Sequence, residues 1–276
     1  MNAKTVRRFW IGFWVIIVAL LTIAPLYWMI ATSFKNYFDL GAFPPNLVPN
    51  PVTLVNYQHA FRLYHFQIYI ENSMIVSVTT TLLVLFFGSL AGYALGRLPI
   101  RGRKAIMVAL LMISVFPEIA VISPLYMIMR TLGWLNSYQA LIVPYTAFNL
   151  PFAIWILRNY FLSIPYEMEE AARIDGASGW RIIFQVILPQ STPGLFTAGV
   201  FTFTAAWTEF LMALTFNSIP QFRTIPVGIA LFGAQFVIPY GTIFAASTIA
   251  VLPIAFGVII FRRAVVSGLT QGAVKG

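Results

Sequence analysis

Residues 169–190 read EEAARIDGASGWRIIFQVILPQ. Glu169, Glu170, Arg173 and Asp175 crowd charge into the first seven positions of a stretch within a chain that is 59% hydrophobic and 9% charged. Ser163 and Pro165 are helix-start signals. Glu167, Glu169 and Glu170 fill the first turns, where acidic side chains favour the positive end of the helix dipole. Ala171 and Ala172 give a small face that lets another backbone come close. Asp175-Gly176 ends the helix, because glycine tolerates the left-handed turn of a helix stop. Ser178 can cap a second helix. There Trp180, Ile183, Phe184, Ile187 and Leu188 recur at helical spacing and predict one apolar stripe, which Pro189 ends. The spacing therefore predicts a short helix, a glycine corner and an amphipathic helix lying across a membrane surface. Its polar and alanine faces suit either an interfacial anchor or a docking joint for something in the cytoplasm.

The rest of the chain sets that corner in a bilayer. A soluble domain of 276 residues carries far more charge, and a mean hydropathy of +0.83 is high. Apolar runs near 9–32, 72–96, 105–129, 138–162, 193–216 and 240–261 each have enough residues to cross about 30 Å of hydrocarbon at about 1.5 Å per residue. The fold class predicted is an all-α polytopic membrane protein with six transmembrane helices. It is read as a single transmembrane domain over 1–276: a first helix, a long outer loop at 35–71, a core at about 72–266 and the charged loop at about 163–190. Lys4, Arg7 and Arg8 resemble the start of a signal peptide, but the uncharged run 9–34 spans 26 residues, too long for a cleaved apolar region. Pro25, Pro117, Pro124, Pro151 and Pro253 interrupt the spans, which membrane helices tolerate when neighbours satisfy the freed carbonyls. With the N-terminus in the cytoplasm, 13 of the 17 basic residues fall inside, leaving Lys35, Arg62, Arg130 and Arg223 outside. That bias puts both termini, and the charged loop, in the cytoplasm. The net charge of +9 is read this way, not as a nucleic-acid footprint. The outer loop is extended and proline-rich at 41–54, with a short helix expected at 56–61. His59 and His65 lie in it without cysteines or clustered acids, so no metal site is expected.

The charged stretch resembles the cytoplasmic "EAA" loop of permease subunits in ABC importers. Glu170-Ala171-Ala172, Gly176, Val186 and Leu188-Pro189 reproduce every spacing of that pattern, with Val for Ile. TLVNYQHAF (53–61), ENSMIVS (71–77), AWTEFLMALTF (206–216), FRTIPVGI (222–229) and RRAVVSGLTQGAVKG (262–276) are similar to the smaller, maltose-type sugar permeases of bacteria, with Thr208 where Asn is usual. The resemblance implies the type I importer fold in a bacterial inner membrane. It also implies a second homologous permease, two cytoplasmic ATPase subunits that hold the ATP and magnesium, and an external solute-binding protein that delivers a sugar. Glu170, Ala171, Ala172, Asp175, Gly176 and Trp180 would be the ATPase-coupling residues. Glu209, Thr208 and Trp207 are candidates for the substrate pathway, and Gln221, Phe222 and Arg223 for contact with the binding protein. A disaccharide such as maltose or trehalose is the expected cargo.

Two acids, Glu118 and Glu209, fall within spans, where a charge at the bilayer centre costs about 2.5–3.5 kcal/mol on insertion scales. Each must face protein or water. Glu118 reads as a structural acid near the outer interface; for Glu209 a structural and a pathway role stand level. No G-x-x-x-x-G-K-[ST] phosphate loop occurs, so an ATPase would be a separate polypeptide and this chain would not be an enzyme. A self-sufficient proton-coupled transporter using the two acids is the competing reading. It predicts internal repeats, which are not evident, and leaves the charged loop without a role. An intramembrane enzyme would need a His–acid cluster, cysteines or a metal spacing that the spans do not offer.

Overall fold

The computed structural model describes residues 3–233 and 238–273, with side chains described over 7–233 and 238–260. In chain order the principal helices are α1 (Ala3–Ser33), α2 (Val55–Arg62), α3 (Phe66–Arg97), α4 (Arg103–Val115), α5 (Glu118–Thr131), α6 (Gln139–Ser163), α7 (Glu167–Ile174), α8 (Thr192–Thr208), α9 (Leu211–Phe216) and α10 (Tyr240–Ala273). No strand occurs among the described residues. The side chains of the tail at 262–276 lie outside them.

Among the described residues, α1, α3, α6 and α10 are long and apolar enough to cross a membrane, and α4 with α5 makes a fifth span if the bent pair is counted as one. Two of the six predicted spans are therefore corrected from continuous to broken helices. The stretch at 105–129 bends by 90° between α4 and α5. Pro117 has no amide to continue the helix and forces Phe116 into extended backbone (φ −68°, ψ 131°). The stretch at 193–216 stops after the 17 residues of α8. There Glu209 is extended (φ −64°, ψ 135°), and the chain restarts in α9 without help from proline or glycine. The other prolines of the spans, Pro25, Pro124, Pro151 and Pro253, are carried inside helices.

The chain divides into two compact units. In the first, Met1–Gln67 with Ile229–Leu252, α1 leaves apolar side chains such as Leu21 and Ile23 exposed, as a lipid-facing helix does. The loop after it is tied down rather than free. Lys35 is buried, donates from Nζ to the Asn46 carbonyl (2.6 Å) and lies 4.0 Å over the Trp28 ring. Asn56, on α2, donates to the carbonyls of Ser33 and Lys35 (3.0 and 2.7 Å). The short helix expected at 56–61 is α2.

In the second unit, Ile68–Gly228 with Pro253–Gly276, α6 is the central packing element. Its Leu157 and Phe161 are fully buried in a cluster with Val84 and Tyr93 of α3, Ala198 of α8, and Ile182 and Ile187 of the charged loop. Lipid removes most of the hydrophobic drive between helices, so close packing must hold this cluster together. Gly194, in the first turn of α8, shows how tight it is: a Cβ there would come within 2.5 Å of the Tyr160 ring. A second cluster gathers Tyr145 of α6, Ala206 of α8, and Met212, Ala213 and Phe216 of α9. It fixes the broken end of the fifth segment against α6.

Candidate functional site

The charged loop leaves α6 at Ile164 in extended backbone and enters α7 at Glu167. α7 ends in a paired cap: Gly176 N–H donates to the Arg173 carbonyl (3.0 Å) and Ala177 N–H to the Ala172 carbonyl (2.9 Å). This Schellman arrangement needs a left-handed residue where Gly176 stands, and its φ is +77°. A Cβ there would meet nothing within 4 Å, so glycine is required by conformation and not by space. Ser178 Oγ then accepts from Arg181 N–H (3.4 Å) and starts the next turn, as the sequence predicts.

The corner has an inner and an outer layer. Inside, Glu169 is fully buried. Its Oε1 lies 3.1 Å from Arg97 Nε at the end of α3, and its Oε2 accepts from the Tyr93 hydroxyl (3.0 Å) and from Arg173 (3.3 Å). Arg97 also donates to the carbonyls of Phe161 and Ile164, capping the end of α6. One buried ion pair thus joins α7, α3 and α6. Arg173 is exposed, and its bond to the Tyr166 hydroxyl (2.7 Å) raises the guanidinium pKa further above its ordinary value. Outside, Glu170, Ala171, Asp175 and Ile174 face away from the protein, while Ala172 is half-buried against the core.

The stripe predicted beyond the corner is corrected. Ile182 and Ile187 are the buried residues, with Ile183 and Leu188 half-buried. Trp180 is 62% exposed and Phe184 44%, and their rings stack on each other (6.0 Å, 16°). The cause is the local helix: Ile182–Ile187 is π-helical, and its wider turn moves the inward face off the α-helical period. The corner therefore presents acids, an alanine and an aromatic pair on its outer side.

A second constellation lies where both broken helices meet α6. A cavity of about 300 Å³ is lined by Glu118 at the head of α5, by Tyr145, Phe148 and Asn149 of α6, by Thr208 at the end of α8, and by Glu209, Phe210 and the first residues of α9. Glu209 stands one residue before Phe210, the N-cap position of α9, and its side chain reaches the first-turn amides: its Oε1 accepts from Met212 N–H (2.8 Å) and its Oε2 from Ala213 N–H (3.1 Å) and the Tyr145 hydroxyl. Thr208 borders the cavity and donates to the Thr204 carbonyl (2.8 Å). Trp207 does not line it; it is buried and stacks on Phe203 (5.4 Å, 22°). Of the three pathway candidates, the structure brings two together.

Gln221, Phe222 and Arg223 form a fixed turn. Asn72 Nδ2 donates to the carbonyls of Gln221 and Arg223 (2.8 and 2.9 Å), and Asn217 Nδ2 to that of Phe222 (3.1 Å). Arg223 reaches back to the Ser218 carbonyl (2.6 Å), and the Gln221 side chain is exposed.

Sequence reasoning missed Glu169 and Arg97 as partners, and Tyr145 and Asn149 as cavity residues. Signals existed for both pairs: Glu169 and Ala172 share a face at i, i+3, and Tyr145 and Asn149 are polar at i, i+4 inside an apolar span.

The elements of the described residues are all helical, with broken apolar spans and a capped charged corner, and family and fold matches make this the type I ABC importer permease fold. The chain belongs to the family described as the binding-protein-dependent transport system inner membrane component, which matches residues 67–271. It is 42% identical over 252 residues (91% of this chain, 88% of the relative) to the sulfoquinovosyl glycerol transport system permease of Agrobacterium fabrum. To the trehalose/maltose transport system permease of Thermococcus litoralis it is 39% identical over the whole of both chains. Its fold matches a chain of a bacterial ABC transporter that imports the acidic polysaccharide alginate, with a TM-score of 0.81 at 21% identity over 95% of this chain and 98% of that one.

Proposed function

We propose that this chain is the smaller permease subunit of an ATP-driven sugar importer, with a disaccharide such as maltose or trehalose as cargo. It lies in a bacterial cell membrane with both termini in the cytoplasm. It pairs with a second, homologous permease and takes substrate from an external solute-binding protein, with Gln221, Phe222 and Arg223 forming part of that contact. ATP and magnesium sit on two separate ATPase subunits, and this chain carries out no catalysis. The relatives named for sugar transport and the basic-residue asymmetry support this reading.

The observation that carries it is the two-layered corner. A joint that transmits force needs a rigid attachment on one side and a free surface on the other. Glu169–Arg97 gives the attachment, and Glu170, Ala171, Asp175 and Trp180 give the surface. Gly176 holds the angle between them. An interfacial anchor alone does not call for exposed acids beside a buried ion pair.

The test is co-purification of the ATPase with the permease from detergent, followed by sugar uptake and ATP hydrolysis in proteoliposomes. Wild type should bring down ATPase in stoichiometric amount. Ala171→Leu and Glu170→Lys should insert and fold, yet lose ATPase or hydrolyse ATP without transport. If both variants transport at the wild-type rate, the loop is an interfacial anchor. If uptake proceeds without ATPase and collapses with the proton gradient, the competing transporter reading replaces this one.

A further inference from the structure

We infer that the cavity at the two helix breaks is a sugar subsite of this subunit, and that Glu118, not Glu209, is the carboxyl group that receives the sugar's hydroxyls. The inference rests on the importer reading above and names the chemistry of its pathway.

The two acids differ in what they already hold. Glu209 already accepts three hydrogen bonds, from the Met212 and Ala213 amides and the Tyr145 hydroxyl, which leaves little of its acceptor capacity for a ligand. Glu209 is thus the residue that makes the break: its carboxylate takes the amides that would otherwise continue the helix, and α9 starts from it. Glu118 lines the same cavity from the head of α5, is exposed, and makes no hydrogen bond or ion pair among the described residues. Its oxygens are open to a ligand.

The backbone adds to this. Ending α8 at Thr208 removes the amide donors that its last-turn carbonyls would have had, and Ala205 and Ala206 from that turn line the cavity. Irregular backbone at membrane depth persists only where protein or a water-filled space satisfies it, and broken helices of transporters meet their substrates at such places. Asn149 donates from Nδ2 to the Tyr145 carbonyl, which leaves its Oδ1 as a further acceptor. Phe148 and Phe210 supply apolar ring surface beside these groups.

Among the described residues the cavity lining is therefore rich in acceptors and includes no Lys or Arg. A neutral, polyhydroxylated solute suits it, since each sugar hydroxyl can donate while its C–H face lies on an aromatic ring. A carboxylated or sulfonated sugar would meet like charge and no cation. The substrate class read from this cavity is a neutral sugar.

The experiment compares Glu118→Gln, Asn149→Ala and wild type in the complete reconstituted transporter, measuring ATP-dependent trehalose and maltose uptake, basal ATP hydrolysis and complex yield. Glu118→Gln removes the charge and replaces one of the two acceptor oxygens with an amide donor. It should lower uptake at limiting sugar roughly tenfold or more, the order expected for losing a hydrogen bond to a charged group. The yield of folded complex should stay at the wild-type level, because Glu118 makes no hydrogen bond or ion pair among the described residues. Asn149→Ala should reduce uptake in the same direction. Two results overturn the subsite while leaving the importer reading in place: both variants within twofold of wild type for uptake, or uptake by the wild type that requires sodium, which would make the acceptors a cation site. Wild-type complex that carries an active ATPase yet takes up neither sugar removes the disaccharide cargo and the subsite argued for it, whereas a permease that binds no ATPase removes the importer reading itself.

Discussion

Glu169→Ala removes one partner from a buried ion pair and leaves Arg97 enclosed, with its side chain 7% exposed. Breaking such a pair costs about 3–5 kcal/mol, because the remaining charge stays out of water without compensation. Here Arg97 retains the Phe161 and Ile164 carbonyls, so the cost falls at the low end, about 3 kcal/mol. The Tyr93 hydroxyl also loses its acceptor. The exposed Arg173 contributes little to the total, since surface pairs are worth about 0–1 kcal/mol. For a chain of this size, about 2–4 °C per kcal/mol converts this into a fall of about 6–12 °C in the melting temperature of the detergent-purified protein. The damage is local to α7, so trypsin should cut at Arg173 and Arg181 well before the rest of the protein opens. Replacing both partners, Arg97→Met with Glu169→Leu, should recover most of the loss, as apolar substitutes for buried pairs do. Two results refute the reasoning: a Glu169→Ala melting temperature within 1 °C of wild type, or a double variant worse than both singles.

Gly176→Val should cost roughly 1 kcal/mol or more through its left-handed φ without any clash, so the protein should fold while ATP-driven uptake falls; wild-type uptake would contradict this. Glu209→Gln should lower the melting temperature by weakening the bonds to the first-turn amides of α9, a loss of about 1–2 kcal/mol, whereas Glu118→Gln should leave it unchanged. Gly194→Ala places a methyl against Tyr160, so the yield of folded protein should drop, and Gly194→Ala with Tyr160→Ala should restore part of it. Cysteines at Phe43 and Gln221, both exposed in a chain without cysteine, should react with an impermeant thiol reagent outside intact cells, and one at Ser178 should not.

The corner was legible because its determinants are local. Asp175-Gly176 and Ser178 are stop and start signals that act within one turn, and each stands where the sequence places it. The long spans were legible from length and hydropathy alone. The bend at Pro117 had its proline, though a proline does not by itself distinguish a break from the uninterrupted helices around Pro25 and Pro253. The break at Glu209 had no such mark. An acid in an apolar run reads as charge needing shelter, and only the fold shows that the charge is used to end one helix and begin another. The same reason hid Glu169: adjacent glutamates look equivalent in sequence, and burial of one beside Arg97, 72 positions earlier, is a tertiary fact. The apolar stripe failed at Trp180 and Phe184 because the π-helical turn changes the period on which a stripe is counted.

The most direct measurement of the central claim is a site-specific cross-link from the outer layer of the corner. The chain has no cysteine, so Ala171→Cys is a unique thiol at an exposed position that the joint needs. In membranes containing the complete transporter, a short bifunctional thiol–amine reagent should join it to the ATPase in a species of permease-plus-ATPase mass. A cysteine at Phe43 should give no such species. Efficient Ala171→Cys cross-linking to the ATPase, with uptake abolished on linking, is the result this account predicts. An Ala171→Cys permease that is inserted, transports sugar and never links to the ATPase would contradict it.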